Sequence, residues 1–272
     1  MDRSSLYSNG SVEDALKKLN LFGITSIKDY LSNELVTELL EESKIILQEK
    51  PLQCHIIRHN HVTNESGITQ TINPEIASTQ DNLPNIESVF RGSFMNRLCY
   101  EYYKPFEYTL NPEVLVSHLK ESENRILPWH FDRLQTLKFW IYLTDTNEDN
   151  GAMEYCPGTH WEGRYRSQFH LSIGDLVREI PNDIPEERII NGMIIDCKAG
   201  ELMIFDPDGF HRGGVIRPGK ERYHLRGDSF PNIGRKHGDK KGPIQRILGD
   251  NTKDRTLNRN GLMGSGSKKL NK

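Results

Sequence analysis

From Glu113 to Arg226 the chain is cut into short runs of β-branched, aromatic and aliphatic residues: EVLVSHL, TLKFWIYL, AMEYC, GMIID, ELMIF and RYHLR. Turn signals separate them at Asn150-Gly151, Pro157-Gly158, Asn191-Gly192, Ala199-Gly200, Asp208-Gly209 and Pro218-Gly219. Glycine supplies positive φ and proline fixes φ, which is what tight turns require. Many short strands between regular turns point to an all-β sandwich or a jelly roll.

The first hundred residues read mostly as helix. Ser11-Val12-Glu13-Asp14 is a start signal, with a hydroxyl to cap and acids in the first turn. From Ser32 to Gln48, Val36, Leu39, Leu40, Ser43, Ile46 and Leu47 form one stripe at helical spacing. A third helical stretch runs from about Ile86 to Tyr102, interrupted at Gly92. The polar stretch from His55 to Asn82 lacks helical periodicity and reads as loops with at most a short strand. Its histidines His55, His59 and His61 have no carboxylate or cysteine at a helpful spacing, so a solvated loop is preferred over a metal site. Helices first and strands second make an α+β chain with helices banked on a β core.

Charge divides the chain. The formal net charge is −3, from 35 basic and 38 acidic residues. The segment from Gly234 to Lys272 holds 11 Lys/Arg and 3 acids, so it carries +8 and the remainder carries −11. One domain over residues 1–233 is expected, with a helical part at about 1–105 and a β core at about 106–233. Residues 234–272 are expected to be a flexible basic tail. An acidic body disfavours a nucleic-acid partner. No apolar run approaches the ~18 residues that span a bilayer, and MDRSSLYSNG offers no secretory signal. Cys54, Cys99, Cys156 and Cys197 form no C-x-x-C pair, which favours free thiols in a reducing, cytoplasmic compartment. Nothing in the sequence indicates an oligomeric state.

The segment Pro128-Trp129-His130-Phe131-Asp132 carries the sharpest chemical signal. On an extended backbone residues i and i+2 face the same side, so His130 and Asp132 can converge on one ion. His211 follows a strand and a tight turn and is the candidate third ligand. Two histidines and a carboxylate on one face leave open positions on an octahedral ion, an arrangement that suits non-haem Fe(II) oxygenases. Asp206 and Asp208 are expected in the turn before His211, where either could back up a ligand. His160 in Pro157-Gly158-Thr159-His160 is read as structural rather than ligating.

The ordered series from Trp129 to Arg226, about a third of the chain, resembles the phytanoyl-CoA dioxygenase family of Fe(II)/2-oxoglutarate-dependent oxygenases. It runs through His-x-Asp, an aromatic strand, Asn-Gly, Pro-Gly-Thr-His, a distal His211 and then Arg222 eleven residues on. The resemblance implies a double-stranded β-helix (jelly-roll, cupin-like) core with N-terminal helices packed on one sheet. It implies His130, Asp132 and His211 as iron ligands, with 2-oxoglutarate and O2 as co-substrates. It also implies Arg222 as the partner of the distal 2-oxoglutarate carboxylate, which a planar guanidinium can grip through two hydrogen bonds. Arg217 and Arg226 are nearby alternatives.

In the strand Leu137–Leu143, Leu137, Phe139, Ile141 and Leu143 share one face and Lys138, Trp140 and Tyr142 the other. The apolar face is expected on the helices or the second sheet, and the amphipathic face inside the barrel. Trp140 corresponds to a tryptophan that lines the 2-oxoglutarate pocket in family members. Lys138 is expected either to touch 2-oxoglutarate or an acidic substrate, or to snorkel to water. One departure stands out: Gly213 occupies a position where family members often carry a small hydroxyl residue that helps hold the co-substrate. Arg222 is then expected to share that work with Lys138, Tyr142 or a water.

The resemblance implies an oxidative reaction releasing succinate and CO2. Asp132 is intact, whereas related halogenases carry Gly or Ala there, so hydroxylation, desaturation or ring closure is expected rather than halogenation. The substrate is expected to be a small polar metabolite, a sugar or a peptide-derived natural product. The stretches His55–Asn82 and Trp161–Arg188 are expected to select it, with Arg133, Arg212 and Trp161 as candidate contacts. A non-oxidative cupin-like isomerase or epimerase, and a non-catalytic carbohydrate-binding jelly roll, are the alternative classes.

Overall fold

The fold is seen in a computed structural model, which describes residues 2–48, 55–58, 67–80, 82–90, 92–122, 127–132, 136–172 and 183–232. Among them the strands are β1 (Tyr7–Ser8), β2 (Ile24–Ile27), β3 (His55–Arg58), β4 (Gly67–Ile72), β5 (Tyr108–Ser122), β6 (Leu137–Tyr142), β7 (Met153–Tyr155), β8 (Met193–Ile195), β9 (Leu202–Phe205), β10 (His211–Arg212) and β11 (Ile216–Pro231). The α-helices are α1 (Val12–Phe22), α2 (Asn33–Gln48), α3 (Pro74–Gln80), α4 (Pro84–Phe90), α5 (Ser93–Tyr103) and α6 (His160–Ser172).

Eight strands form one sheet in the order β1-β2-β9-β6-β11-β5-β4-β3, antiparallel except for the β1–β2 pair. A second sheet is β10-β7-β8. The expected α+β jelly-roll architecture holds, with helices on the outer face of the large sheet.

Strand parity explains the two sides. Leu137, Phe139, Ile141 and Leu143 join Val114, Val116, Ile204 and Leu225 in a core shared with Leu39 and Ile46 of α2, Ile86 and Val89 of α4, and Leu98 of α5. The alternate residues Tyr142 and Trp140 pack instead with Met203, Phe205, Tyr155 and Ile195, between the two sheets. The amphipathic strand thus faces as its alternation requires.

The helix signals also appear. Ser11 caps α1, its hydroxyl accepting from the Asp14 N–H at 3.2 Å. Gly23 ends the helix at φ 74°, a left-handed conformation natural to glycine. The interruption at Gly92 separates α4 from α5.

Two expectations need correction. The N-terminal part is not only helical, because β1 to β4 complete both ends of the large sheet. The stretch 55–82, read as loops with at most a short strand, contains β3, β4 and α3, and the stretch 161–188 contains most of α6. These elements are short or weakly patterned, and their packing rather than their periodicity defines them. His59, His61, Cys54, Arg133 and the basic tail lie outside the described residues. Cys99, Cys156 and Cys197 are buried free thiols. Among the described residues no helix is long and apolar enough to cross a membrane.

Candidate metal centre

The segment 129–132 and the turn 206–211 are clamped together by backbone. His130 and His211 exchange both N–H···O bonds, at 3.0 and 2.9 Å, and Asp132 N donates to Pro207 O at 2.8 Å. Ile184 N donates to Trp129 O from the other side. These bonds bring the ligand atoms of His130, Asp132 and His211 within 4.8 Å of one another, a grouping that could hold a metal ion.

The ring nitrogens are ordered for that task. His130 Nδ1 lies 2.9 Å from Pro128 O, and His211 Nδ1 lies 2.8 Å from Gly209 O. A carbonyl only accepts, so Nδ1 carries the proton in each ring and Nε2 keeps its lone pair. His130 Nε2 stands 3.6 Å from Asp132 Oδ1. Burial, and then the neighbouring His130, push the His211 pKa down to about 3. Burial alone would raise Asp132, but Lys138 and the two histidines outweigh it and hold the carboxyl below its usual range.

Lys138 faces the barrel interior and is buried, so it does not snorkel to water. Its Nζ donates to Asp132 Oδ2, which places its charge beside the candidate metal ligand. The pairing of β11 with β6 continues this inner wall: His224 lies beside Tyr142, Arg226 beside Trp140 and Asp228 beside Lys138. By parity Arg222 faces inward too.

Arg222 is 3% exposed, and its Nε and Nη1 have no hydrogen-bond partner among the described residues. Burial lowers its pKa, and the Tyr142 hydroxyl is its favourable neighbour. The two alternatives are engaged: Arg217 pairs with Asp149 at 2.9 Å, and Arg226 with Asp228 at 3.3 Å. A buried guanidinium without an anion is costly, and its planar pair of N–H donors matches the geometry of a carboxylate. Trp140 stacks on His224 at 4.8 Å and meets Tyr142 and Phe205 edge-on. A Cβ at Gly213 would meet nothing within 4 Å, so the missing hydroxyl residue leaves open space.

The substrate candidates fare differently. Arg212 is engaged by Glu154, at 2.8 and 3.0 Å, by Glu186, and by the face of Trp129, so it braces β10 against β7 instead of waiting for a ligand. Trp161 is exposed, and its indole donates to Asn20 O on α1. Its contacts are with the outer helices, not with the triad. Arg133 is outside the described residues. His160 packs its ring beside Gly23 and Tyr155, apart from the triad, in keeping with a structural role.

Asp206 and Asp208 sit in the expected turn, while the Nδ1 atoms of His130 and His211 are held by backbone carbonyls. Asp206 accepts from Arg164 and, at 2.6 Å, from Tyr102; Asp208 lies 3.9 Å from Arg164 Nε. Arg164 on α6 was not foreseen. Its helix has no apolar stripe, because the helix is seated by this ion pair and by Gly163, where any Cβ would collide with the Asp208 carbonyl.

A search of curated proteins finds no match to the chain. Among solved structures, the non-heme alpha ketoglutarate dependent epimerase SnoN from nogalamycin biosynthesis is 14% identical, covering 82% of this chain and 83% of its own, with TM-score 0.54. The non-heme alpha ketoglutarate dependent carbocyclase SnoK from the same biosynthesis is 16% identical, covering 80% and 85%, with TM-score 0.57. AviO1 from Streptomyces viridochromogenes Tue57 is 13% identical, covering 87% and 100%, with TM-score 0.55. At these identities the likeness speaks for the fold. The phytanoyl-CoA dioxygenase family model matches residues 123–223. The matched segment carries His130, Asp132, His211 and Arg222, so the chain is similar to the phytanoyl-CoA dioxygenase family over the part that holds the candidate site.

Proposed function

We propose that this protein is an Fe(II)- and 2-oxoglutarate-dependent dioxygenase that hydroxylates an unactivated C–H bond of a small metabolite or natural-product intermediate. The observation that carries this reading is the pairing of a His-Asp-His group with a buried guanidinium that has no anion among the described residues, in one barrel. Two imidazoles and a carboxylate suit Fe(II) and leave positions for a chelating co-substrate and O2. SnoN, of the same fold, has been crystallised with Fe3+ and alpha ketoglutarate.

In this reading His130 and His211 present Nε2 to the metal and Asp132 presents a carboxylate. Arg222 takes the distal carboxylate of 2-oxoglutarate, with Tyr142 beside it and Trp140 as an apolar wall. Lys138 keeps Asp132 ionised. Iron, 2-oxoglutarate and O2 together supply the oxidising chemistry, with succinate and CO2 as co-products.

A second reading keeps the cofactors and changes the outcome to epimerisation or ring closure, and the folds of SnoN and SnoK favour it. A metal-free carbohydrate binder or a non-oxidative isomerase would leave Arg222 buried without purpose. Mass analysis of products from a metabolite screen for substrate-dependent succinate release separates these readings. Hydroxylation adds one oxygen, ring closure removes two hydrogens, and epimerisation leaves the mass unchanged. Succinate release without any added oxygen would refute hydroxylation.

A further inference from the structure

The inner wall carries a second polar group at the level of the metal triad. Asp228 lies beside Lys138, which itself bonds Asp132, and Arg226 lies beside Trp140. Arg222 is six residues from Asp228 along β11, about 20 Å of extended strand, so the two ends of the wall are distinct. Arg226 Nη2 and Asp228 Oδ2 are 3.3 Å apart. That pair leaves Arg226 Nε and Asp228 Oδ1 without partners among the described residues, and Thr136 Oγ1 shares this state. All three residues are more than nine-tenths buried. The pairing of β11 with β5 is irregular between Gly227 and Ser229, at Asp228 itself. Such irregularities commonly re-aim a side chain next to a site.

We propose that Arg226, Asp228 and Thr136 form the polar end of the primary-substrate pocket, and that they take a neutral hydroxyl-bearing group, as on a sugar or polyol. The inference rests on the dioxygenase reading, because it assumes that a substrate must approach the triad. A buried donor or acceptor without a partner costs about 1–3 kcal/mol, so these atoms favour a ligand that satisfies them. The ion pair is already neutral as a unit. A substrate carboxylate would meet the open oxygen of Asp228, and a substrate ammonium would meet Arg226; each would bury an unbalanced charge. A hydroxyl can accept from Arg226 Nε and donate to Asp228 Oδ1 together. An analogue lacking that hydroxyl is rejected, because both protein atoms are then stranded.

Three matched probes test this: methyl glucoside, its uronate counterpart and its 6-amino counterpart. Each is titrated into the anaerobic Fe(II)–2-oxoglutarate complex of the full chain, with the visible charge-transfer band as readout. The neutral glycoside is expected to perturb the band at least about tenfold more tightly than either charged probe, a difference of about 1.4 kcal/mol. Asp228→Asn is expected to erase the discrimination against the uronate, and Thr136→Val to weaken the neutral glycoside. Thr136→Val serves as the second variant if Asp228→Asn does not fold. Equal or tighter binding of the uronate, unchanged discrimination in Asp228→Asn, or no perturbation by any probe at its solubility limit would overturn the proposal. A missing band before any probe is added would count against the dioxygenase reading instead, so the two failures are distinguishable.

Discussion

Lys138 reaches Asp132 from inside the barrel, so the carboxylate that completes the His-Asp-His group is neutralised by a buried cation. The strand that carries Lys138 and the segment that carries Asp132 are thereby tied together at the centre of the site. Breaking a buried pair by removing one partner costs about 3–5 kcal/mol, since it leaves a charge uncompensated. Lys138→Met is expected to lower the stability of the metal-free protein by about that amount. Added Fe(II) should restore much of it, because the metal then balances Asp132. Urea unfolding with and without metal checks this; equal metal stabilisation in wild type and variant would contradict it.

Arg222 is expected to dominate 2-oxoglutarate affinity. A lysine keeps the charge but loses the planar two-bond grip. Charged hydrogen bonds contribute about 1.5–3 kcal/mol, so Arg222→Lys should weaken 2-oxoglutarate binding about 10- to 100-fold. Anaerobic calorimetric titration measures it. Binding as tight as wild type in Arg222→Ala would show that another group holds the co-substrate.

Arg164 touches none of the three ligand side chains, yet it pairs with Asp206 in the turn that carries Pro207 and His211. Arg164→Met should destabilise the protein by about 3–5 kcal/mol. It should also loosen metal binding about 10-fold, because Asp132 N bonds Pro207 O. Arg164→Lys should recover part of both losses. Equilibrium unfolding and metal titration on the same samples check the coupling, and an unchanged metal affinity in Arg164→Met would break it.

His160 sets an acid limit. Burial, its largest influence, lowers the pKa of His160 below the ordinary 6.5, and its ring is 1% exposed. The unfolded chain therefore binds a proton before the folded one does as pH falls. The stability from keeping this ring neutral is fully present above about 6.5 and is lost as pH drops toward the depressed folded value. Thermal midpoints measured from pH 8 down to 4 should fall, and His160→Gln should flatten that slope if it folds.

Much of the site was legible because its signals are local. His130 and Asp132 are two residues apart, and the alternation of Leu137 to Leu143 assigns both faces of β6 without any long-range knowledge. What stayed hidden depends on partners distant in sequence. Lys138 bonding Asp132, Arg212 bonding Glu154 and Arg164 bonding Asp206 are ion pairs, and charge alone does not say whether an arginine waits for a ligand or braces a strand. Where β3 and β4 lie, the sequence suggested at most a short strand, since β4 is defined by its pairing with β5 and β3 by its pairing with β4. Helix α6 lacks an apolar stripe and carries no periodicity to read.

The central claim is that His130, Asp132 and His211 hold Fe(II) while 2-oxoglutarate binds beside them. Anaerobic addition of Fe(II) and then 2-oxoglutarate to the purified protein tests it directly. A weak visible charge-transfer band is expected in the wild type, absent from His130→Ala and His211→Ala, and requiring more 2-oxoglutarate in Arg222→Lys. No band in the folded wild type at saturating iron and 2-oxoglutarate, or an undiminished band in His211→Ala, would contradict the account.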